Sequence, residues 1–188
     1  MTIAYDYGNA LYLNITNKCP CDCVFCIRNN SNGIGGHSLW LEREPTQAEI
    51  NEALVGLDYN RYEEVVFCGY GEPTSRLDAL VSTARLLKEG LALKLPLRLN
   101  TNGLGGLTNK TSIVPLIAEY IDAVSISLNA PDAETYVKSL FKISSKSTAQ
   151  TQQLPTDQEF LYTSRSFSKI SCTCLTKRRN ALQSIFWG

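Results

Sequence analysis

Glu64-Val65-Val66-Phe67-Cys68-Gly69-Tyr70-Gly71-Glu72-Pro73 decides the fold. After the opening glutamate the first half is short and apolar, as a strand buried in a parallel sheet should be. The second half breaks that run with two glycines and a proline, so a strand passes directly into a polar loop. Downstream, Leu77, Leu80, Val81, Ala84 and Leu87 recur at helical spacing, and Gly90 suits a C-terminal cap. Pro96 then precedes a strand-like Leu97-Arg98-Leu99. A further helix is expected over residues 113–120, with Pro115 tolerated in its first turn. Ala123-Val124-Ser125-Ile126-Ser127-Leu128 reads as the next strand, and Asp132 opens another helix. Upstream, Thr46-Gln47-Ala48-Glu49 is a capping box, and Ile50, Ala53, Leu54 and Leu57 mark one helix face behind it. Leu11-Tyr12-Leu13-Asn14-Ile15 alternates at period two and reads as the first strand. The order predicts an α/β fold: a partial (β/α) barrel with parallel strands, truncated to about four clear βα units.

In such folds ligands bind beyond the C-terminal ends of the strands. Each expected strand here runs into an unusual polar loop. The first leads to the cysteines, the second to Gly69-Tyr70-Gly71-Glu72-Pro73, the third to Asn100-Thr101-Asn102-Gly103, and the fourth to Asn129-Ala130-Pro131. That end of the sheet is taken as the active face. Period two places Ser125, Ser127 and Asn129 on one side of their strand, without saying which side is interior.

The chain has 188 residues, 44% of them hydrophobic and 19% charged, enough for one domain with a real core. Eighteen Lys/Arg balance eighteen Asp/Glu, which argues against a strongly basic nucleic-acid binder or a polybasic membrane anchor. No apolar run approaches the roughly 18 residues of a membrane span, and the first residues lack the pattern of a secretory signal. A cytoplasmic protein without membrane contact is expected. The neutrality hides an asymmetry. Residues 1–138 hold 11 Lys/Arg and 16 Asp/Glu, whereas residues 139–188 hold 7 and 2, with 15 Ser/Thr and a single, terminal glycine. This predicts a catalytic core over 1–138 and a divergent, basic, Ser/Thr-rich tail over 139–188, with no clear strand or motif of its own. A solvated or disordered chain, a shifted reading frame near residue 139 and a divergent lid are the readings left open for it.

Seven cysteines, an odd number, favour a reducing compartment and a metal site over a disulfide framework. Four of them, Cys19, Cys21, Cys23 and Cys26, fall within eight residues. Structural zinc usually takes two separated pairs, and Cys172-Thr173-Cys174 has a shorter gap than such pairs use. Three thiolates on a four-iron cubane leave one iron open, which suits a catalytic metal. A redox pair at Cys23 and Cys26 leaves Cys19 unexplained. Cys21 reads as a spare thiol that could compete as a ligand, and Cys68 as a small buried hydrophobe. His37 sits among glycines and reads as a surface residue, Arg28 as solvated, and Trp40 and Leu41 as covering the loop or simply packing.

Cys19-x3-Cys23-x2-Cys26 after a first strand resembles the signature loop of the radical S-adenosylmethionine (SAM) enzymes. Phe25 stands at their aromatic position, and Gly69-Tyr70-Gly71-Glu72-Pro73 is similar to their glycine-rich element. The resemblance spans about residues 8–138. Within the superfamily, the wording around residues 11–16, 41–45, 67–73, 99–104 and 125–132 looks like the TatD-associated radical SAM proteins. The resemblance implies that Cys19, Cys23 and Cys26 ligate a [4Fe–4S] cluster whose fourth iron takes the amino and carboxylate groups of SAM. It implies that Phe25 lies near the adenine. It places Gly69, Gly71, Glu72 and Pro73 around the methionine ammonium, with Asn100, Thr101, Asn102, Ser125, Ser127 and Asn129 facing the ribose and carboxylate. It further implies reductive cleavage of SAM to a 5′-deoxyadenosyl radical that abstracts hydrogen from an unidentified substrate. An external flavodoxin- or ferredoxin-like electron donor and a functional link to a TatD-type hydrolase follow by the same analogy. The competing expectation is a non-catalytic iron–sulfur or zinc-binding module, an electron carrier or an inactive remnant.

Overall fold

A computed structural model of the protein describes residues 1–29, 33–128, 169–174 and 184–187. Seven strands form one sheet in chain order: β1 (Ala4–Tyr7), β2 (Ala10–Leu13), β3 (Glu64–Phe67), β4 (Leu97–Thr101), β5 (Ala123–Leu128), β6 (Lys169–Cys174) and β7 (Ser184–Trp187). Neighbours from β2 to β6 pair in parallel, while β1 and β7 close the edges antiparallel. This is the mixed α/β sheet of a partial (β/α) barrel.

Between the strands lie α1 (Gln47–Leu54), α2 (Leu77–Arg85), α3 (Gly105–Asn109) and α4 (Val114–Ile117). The capping box works as its residue types require. Thr46 Oγ1 accepts from Glu49 N at 3.3 Å, and the Glu49 carboxylate accepts from Thr46 N at 2.8 Å. The last turn after α2 widens into a π turn, Leu86–Gly90.

Burial settles which side of the sheet packs on the helices. Leu11, Leu13, Val65, Phe67, Leu97, Leu99, Val124 and Ile126 share one core with Ile50, Leu54, Leu80 and Leu87 of the helices. Tyr12, Val66, Arg98, Asn100, Ser125 and Ser127 therefore occupy the opposite face. Ser125 stands directly across from Asn100 in the ladder. The side of Ser125 and Ser127 that alternation alone left undecided is the polar one.

Four local expectations differ from what is found. β1 was not expected, because Tyr5-Asp6-Tyr7 mixes a charge into its four residues. The expected helix over 113–120 is only Val114–Ile117, and α3 precedes it from a Gly-Gly start that helix propensity disfavours. β6 and β7 lie in the tail where no strand was expected. Lys169-Ile170-Ser171-Cys172-Thr173-Cys174 does alternate at period two, which charge and Ser/Thr content conceal. The helix expected from Asp132 and the position of Asn129 lie outside the described residues.

Candidate functional site

The loops after β2, β3 and β4 meet at one end of the sheet. The meeting begins with Asn14, fully buried where β2 ends. Its Nδ2 donates to Leu39 O at 2.8 Å and to Thr2 O at 3.1 Å, and its Oδ1 accepts from Tyr70 N at 3.3 Å. One amide thus ties the start of the cysteine loop to the glycine loop and to the segment around residue 39. Two backbone bonds continue the seam: Gly71 N to Thr16 O at 3.0 Å and Glu72 N to Lys18 O at 2.8 Å. The approach is close enough to need glycine. A Cβ on Gly69 would stand 2.0 Å from Asn14 Oδ1, and one on Gly71 would stand 2.3 Å from Thr16 O. The missing side chains at both positions make room for the neighbouring chain.

A carboxylate braces the same seam from outside. Thr16 Oγ1 donates to Glu44 Oε2 at 2.6 Å, and Asn17 N donates to Glu44 Oε1 at 3.1 Å. Arg76 Nη1 lies 3.7 Å from Glu44 Oε2 and donates to Ile15 O and Pro45 O. Asn17 exchanges two further bonds with Leu41.

Glu72 is buried and receives four donors. Oε1 accepts from Thr74 N, Thr74 Oγ1 and Thr101 Oγ1 at 3.1, 2.7 and 2.8 Å, and Oε2 accepts from Asn102 N at 2.7 Å. Burial pushes its carboxyl above the usual range, while these hydrogen bonds oppose that shift. Pro73 opens the short 3₁₀ turn Pro73–Arg76, for which Glu72 is the cap. Asn100 contacts the Cys68 thiol, yet its Oδ1 is buried without a hydrogen-bond partner among the described residues.

All four cysteines of the first loop are free thiols, as is Cys68. Cys19, Cys23 and Cys26 are half-buried and Cys21 is buried. Hydrogen bonding to Cys21 holds the Cys19 thiol down to about 7 and lowers that of Cys23, while Cys21 itself is pushed well up. Arg28 is packed onto the loop, contrary to the solvated expectation. Its Nε donates to Cys26 Sγ at 3.3 Å, its Nη2 to Cys21 O at 3.4 Å, and its guanidinium lies over Trp40 at 5.9 Å. Trp40 meets Tyr70 edge-on at 5.2 Å, so it both covers the loop and packs on the glycine strip. Phe25 is 42% exposed beside the cysteines. His37 forms a tight turn with Ile34 and lies 5.7 Å from the Tyr5 ring.

Asn102 and Glu72 are therefore joined directly, and Asn102 also reaches the cysteine loop. Asn100 and Ser125 share a ladder position on the polar face, with Ser127 one step on. The residues that sequence reasoning missed are Asn14, Thr16 and Glu44. Their signals were slight: a lone amide in an apolar strand, a hydroxyl just beyond it, and a carboxylate before Pro45.

The donor set suits an iron–sulfur cluster. Three thiols, two of them lowered by a neighbour, stand beside a guanidinium that would offset thiolate charge. Among the described residues no three His, Cys, Asp or Glu side chains are gathered as ligands of one metal ion. A cubane takes its thiolates one per iron and has no such requirement. The orphaned Asn100 Oδ1 and the buried Glu72 carboxylate are acceptors fit for the hydroxyl and ammonium groups of SAM.

Residues 13–151 match the family described as the Radical SAM superfamily. The chain is 28% identical over 141 residues to a probable dual-specificity RNA methyltransferase RlmN of Geobacillus thermodenitrificans, covering 71% of this chain and 36% of that protein. It is 28% identical over 139 residues to the corresponding protein of Clostridium acetobutylicum (73% and 38%), and 26% identical over 116 residues to that of Halorhodospira halophila (62% and 31%). The chain spans about a third of the length of these relatives.

Proposed function

The chain belongs to the radical SAM superfamily, whose members bind a [4Fe–4S] cluster and SAM, and on that premise we propose that Cys19, Cys23 and Cys26 hold the cluster and the loop over residues 69–73 holds SAM. When bound, these groups would supply one-electron reductive cleavage of SAM, with the electron from an external donor, for hydrogen abstraction from the substrate. The protein's own residues bind and orient. Glu72 offers Oε2 to the methionine ammonium, and the backbone around Gly69, Gly71 and Pro73 offers carbonyls. Asn100, Asn102, Ser125 and Ser127 present polar groups to the ribose and carboxylate, a role that Asn129 is given from its motif alone, and Phe25 covers the adenine. Arg28 and Trp40 pack over the cysteine loop.

One observation carries this reading: the cysteine loop and the Glu72 loop are seamed by backbone bonds and form one unit. A carrier or a zinc module needs no buried carboxylate facing its cysteines. Residues 1–138 form the catalytic core in this reading, and residues 139–188 are a divergent tail whose strands β6 and β7 continue the core's sheet. The motif wording favours the TatD-associated group, with a flavodoxin- or ferredoxin-like donor, a TatD-type hydrolase as functional neighbour and a cytoplasmic setting. No helix among the described residues is long and apolar enough to cross a membrane. Methyl transfer to RNA, named for the relatives, gains no support from a core that carries net negative charge.

The test is anaerobic reconstitution with iron and sulfide, followed by electron paramagnetic resonance of the reduced chain with and without SAM. A cubane signal that changes on adding SAM is expected. A full cluster whose signal ignores saturating SAM would contradict the reading.

A further inference from the structure

Arg28 follows the last cysteine of the loop within a short 3₁₀ turn, Ile27–Asn29. Its guanidinium folds back onto the loop and is held at separate points. Nε donates to Cys26 Sγ at 3.3 Å, Nη1 to Asn17 O at 3.3 Å and Nη2 to Cys21 O at 3.4 Å. The guanidinium carbon lies over the Trp40 ring, 5.9 Å from its centre. Trp40 is in turn set edge-on against Tyr70, whose N donates to the buried Asn14 amide. One side chain therefore spans the loop from Asn17 to Cys26. Two carbonyls and a ring fix where the charge sits, and the remaining N–H is spent on a sulfur.

We propose that Arg28 is a positioning residue that sets the reduction potential of the cluster, a fixed positive charge hydrogen-bonded to the Cys26 sulfur that favours the reduced state. The proposal rests on the ligand assignment above. Three thiolates on a four-iron cubane leave the site with net negative charge, and one-electron reduction adds to it. A cation and a hydrogen bond at a ligand sulfur both stabilise the more negative state, so both raise the potential. A guanidinium stays charged at any working pH, so the effect needs no particular protonation state. Lysine would keep the charge but not the planar fork that reaches Cys26, Asn17 and Cys21 together.

The experiment compares the wild-type chain with Arg28→Gln, Arg28→Lys and Arg85→Gln, all reconstituted anaerobically with iron and sulfide. Arg85, exposed at the end of α2, controls for loss of one charge elsewhere. The readouts are iron and sulfide per chain and the midpoint of a redox titration without SAM, followed by electron paramagnetic resonance. Circular dichroism shows that each variant is folded. Arg28→Gln is expected to hold as much iron as wild type and to reduce about tenfold less favourably, a midpoint about 59 mV more negative for one electron. Arg28→Lys is expected to fall between the two, and Arg85→Gln to titrate with wild type. A residue that merely braces the loop would leave the midpoint of the loaded chain where it was, so an unchanged midpoint in Arg28→Gln would overturn the proposal. An equal shift in Arg85→Gln would overturn it too, as would loss of iron from both folded Arg28 variants. Absence of any cluster from wild type would instead overturn the ligand assignment beneath it, so the two failures are distinguishable.

Discussion

Thr101 Oγ1 donates to Glu72 Oε1 at 2.8 Å, which ties the end of β4 to the loop after β3. Glu72 is buried, and burial raises its carboxyl above the ordinary value of 4.5. The folded protein then holds that proton more tightly than the unfolded chain does. The stability from this group is complete below the unfolded value and is lost as pH rises through the higher folded value. Glu72→Gln carries no charge at any pH. Its stability relative to wild type is predicted to improve as pH is raised from about 5 to about 8. Urea midpoints of the metal-free proteins measure this, and a difference that stays constant with pH would show that Glu72 does not titrate in that window.

The glycines make a second prediction. A Cβ on Gly71 would lie 2.3 Å from Thr16 O and 2.7 Å from Lys18 O, both backbone atoms that cannot rotate away. Gly71→Ala is expected to cost about 3 kcal/mol, near the upper end of overpacking penalties. At Gly69 the obstacle is the Asn14 side chain. Gly69→Ala should therefore be partly relieved by Asn14→Gly in the same chain. Chemical denaturation of the four chains gives the coupling, and strictly additive losses would mean that the contact is not the cause.

The Glu44 brace is partly exposed, so its worth is discounted for solvent. Glu44→Ala removes the acceptor for Thr16 and Asn17 and is expected to destabilise by about 1–2 kcal/mol. Thr16→Val should cost less in that background than in wild type, because one bond is common to both changes, and what remains is the loss of the acceptor for Lys18 N. Denaturant midpoints with unchanged slope would bear this out, and full additivity would count against a shared bond.

Much of this was legible because local chemistry and tertiary role coincide. Thr46 and Glu49 announce their helix by a bond made within four residues, and Val65, Phe67, Leu97 and Leu99 announce the core by alternation. The cysteine spacing and the glycine loop were legible for the same reason: each is a contiguous pattern. Asn14 and Glu44 were not. Their roles run through partners 12 or more residues away, Thr2, Leu39 and Tyr70 for one and Thr16 and Asn17 for the other. Gly69 and Gly71 were expected to admit a ligand, yet the close approach they permit is to Asn14 and Thr16. Arg28 looks like solvated charge in the sequence because its hold on the Cys26 sulfur and on the Trp40 ring depends on how the loop folds and not on a residue pattern. β6 escaped because its alternation is carried by Ser, Thr and Cys, residues whose composition reads as loop.

The central claim is that Cys19, Cys23 and Cys26 hold a cluster which cleaves SAM beside Glu72. The most direct measurement is 5′-deoxyadenosine, quantified chromatographically after the reconstituted chain is reduced with dithionite in the presence of SAM. The account predicts product from wild type and none above background from Cys19→Ala, Cys23→Ala or Cys26→Ala. A wild-type chain with its full cluster, reduced and saturated with SAM, that forms no 5′-deoxyadenosine would contradict it.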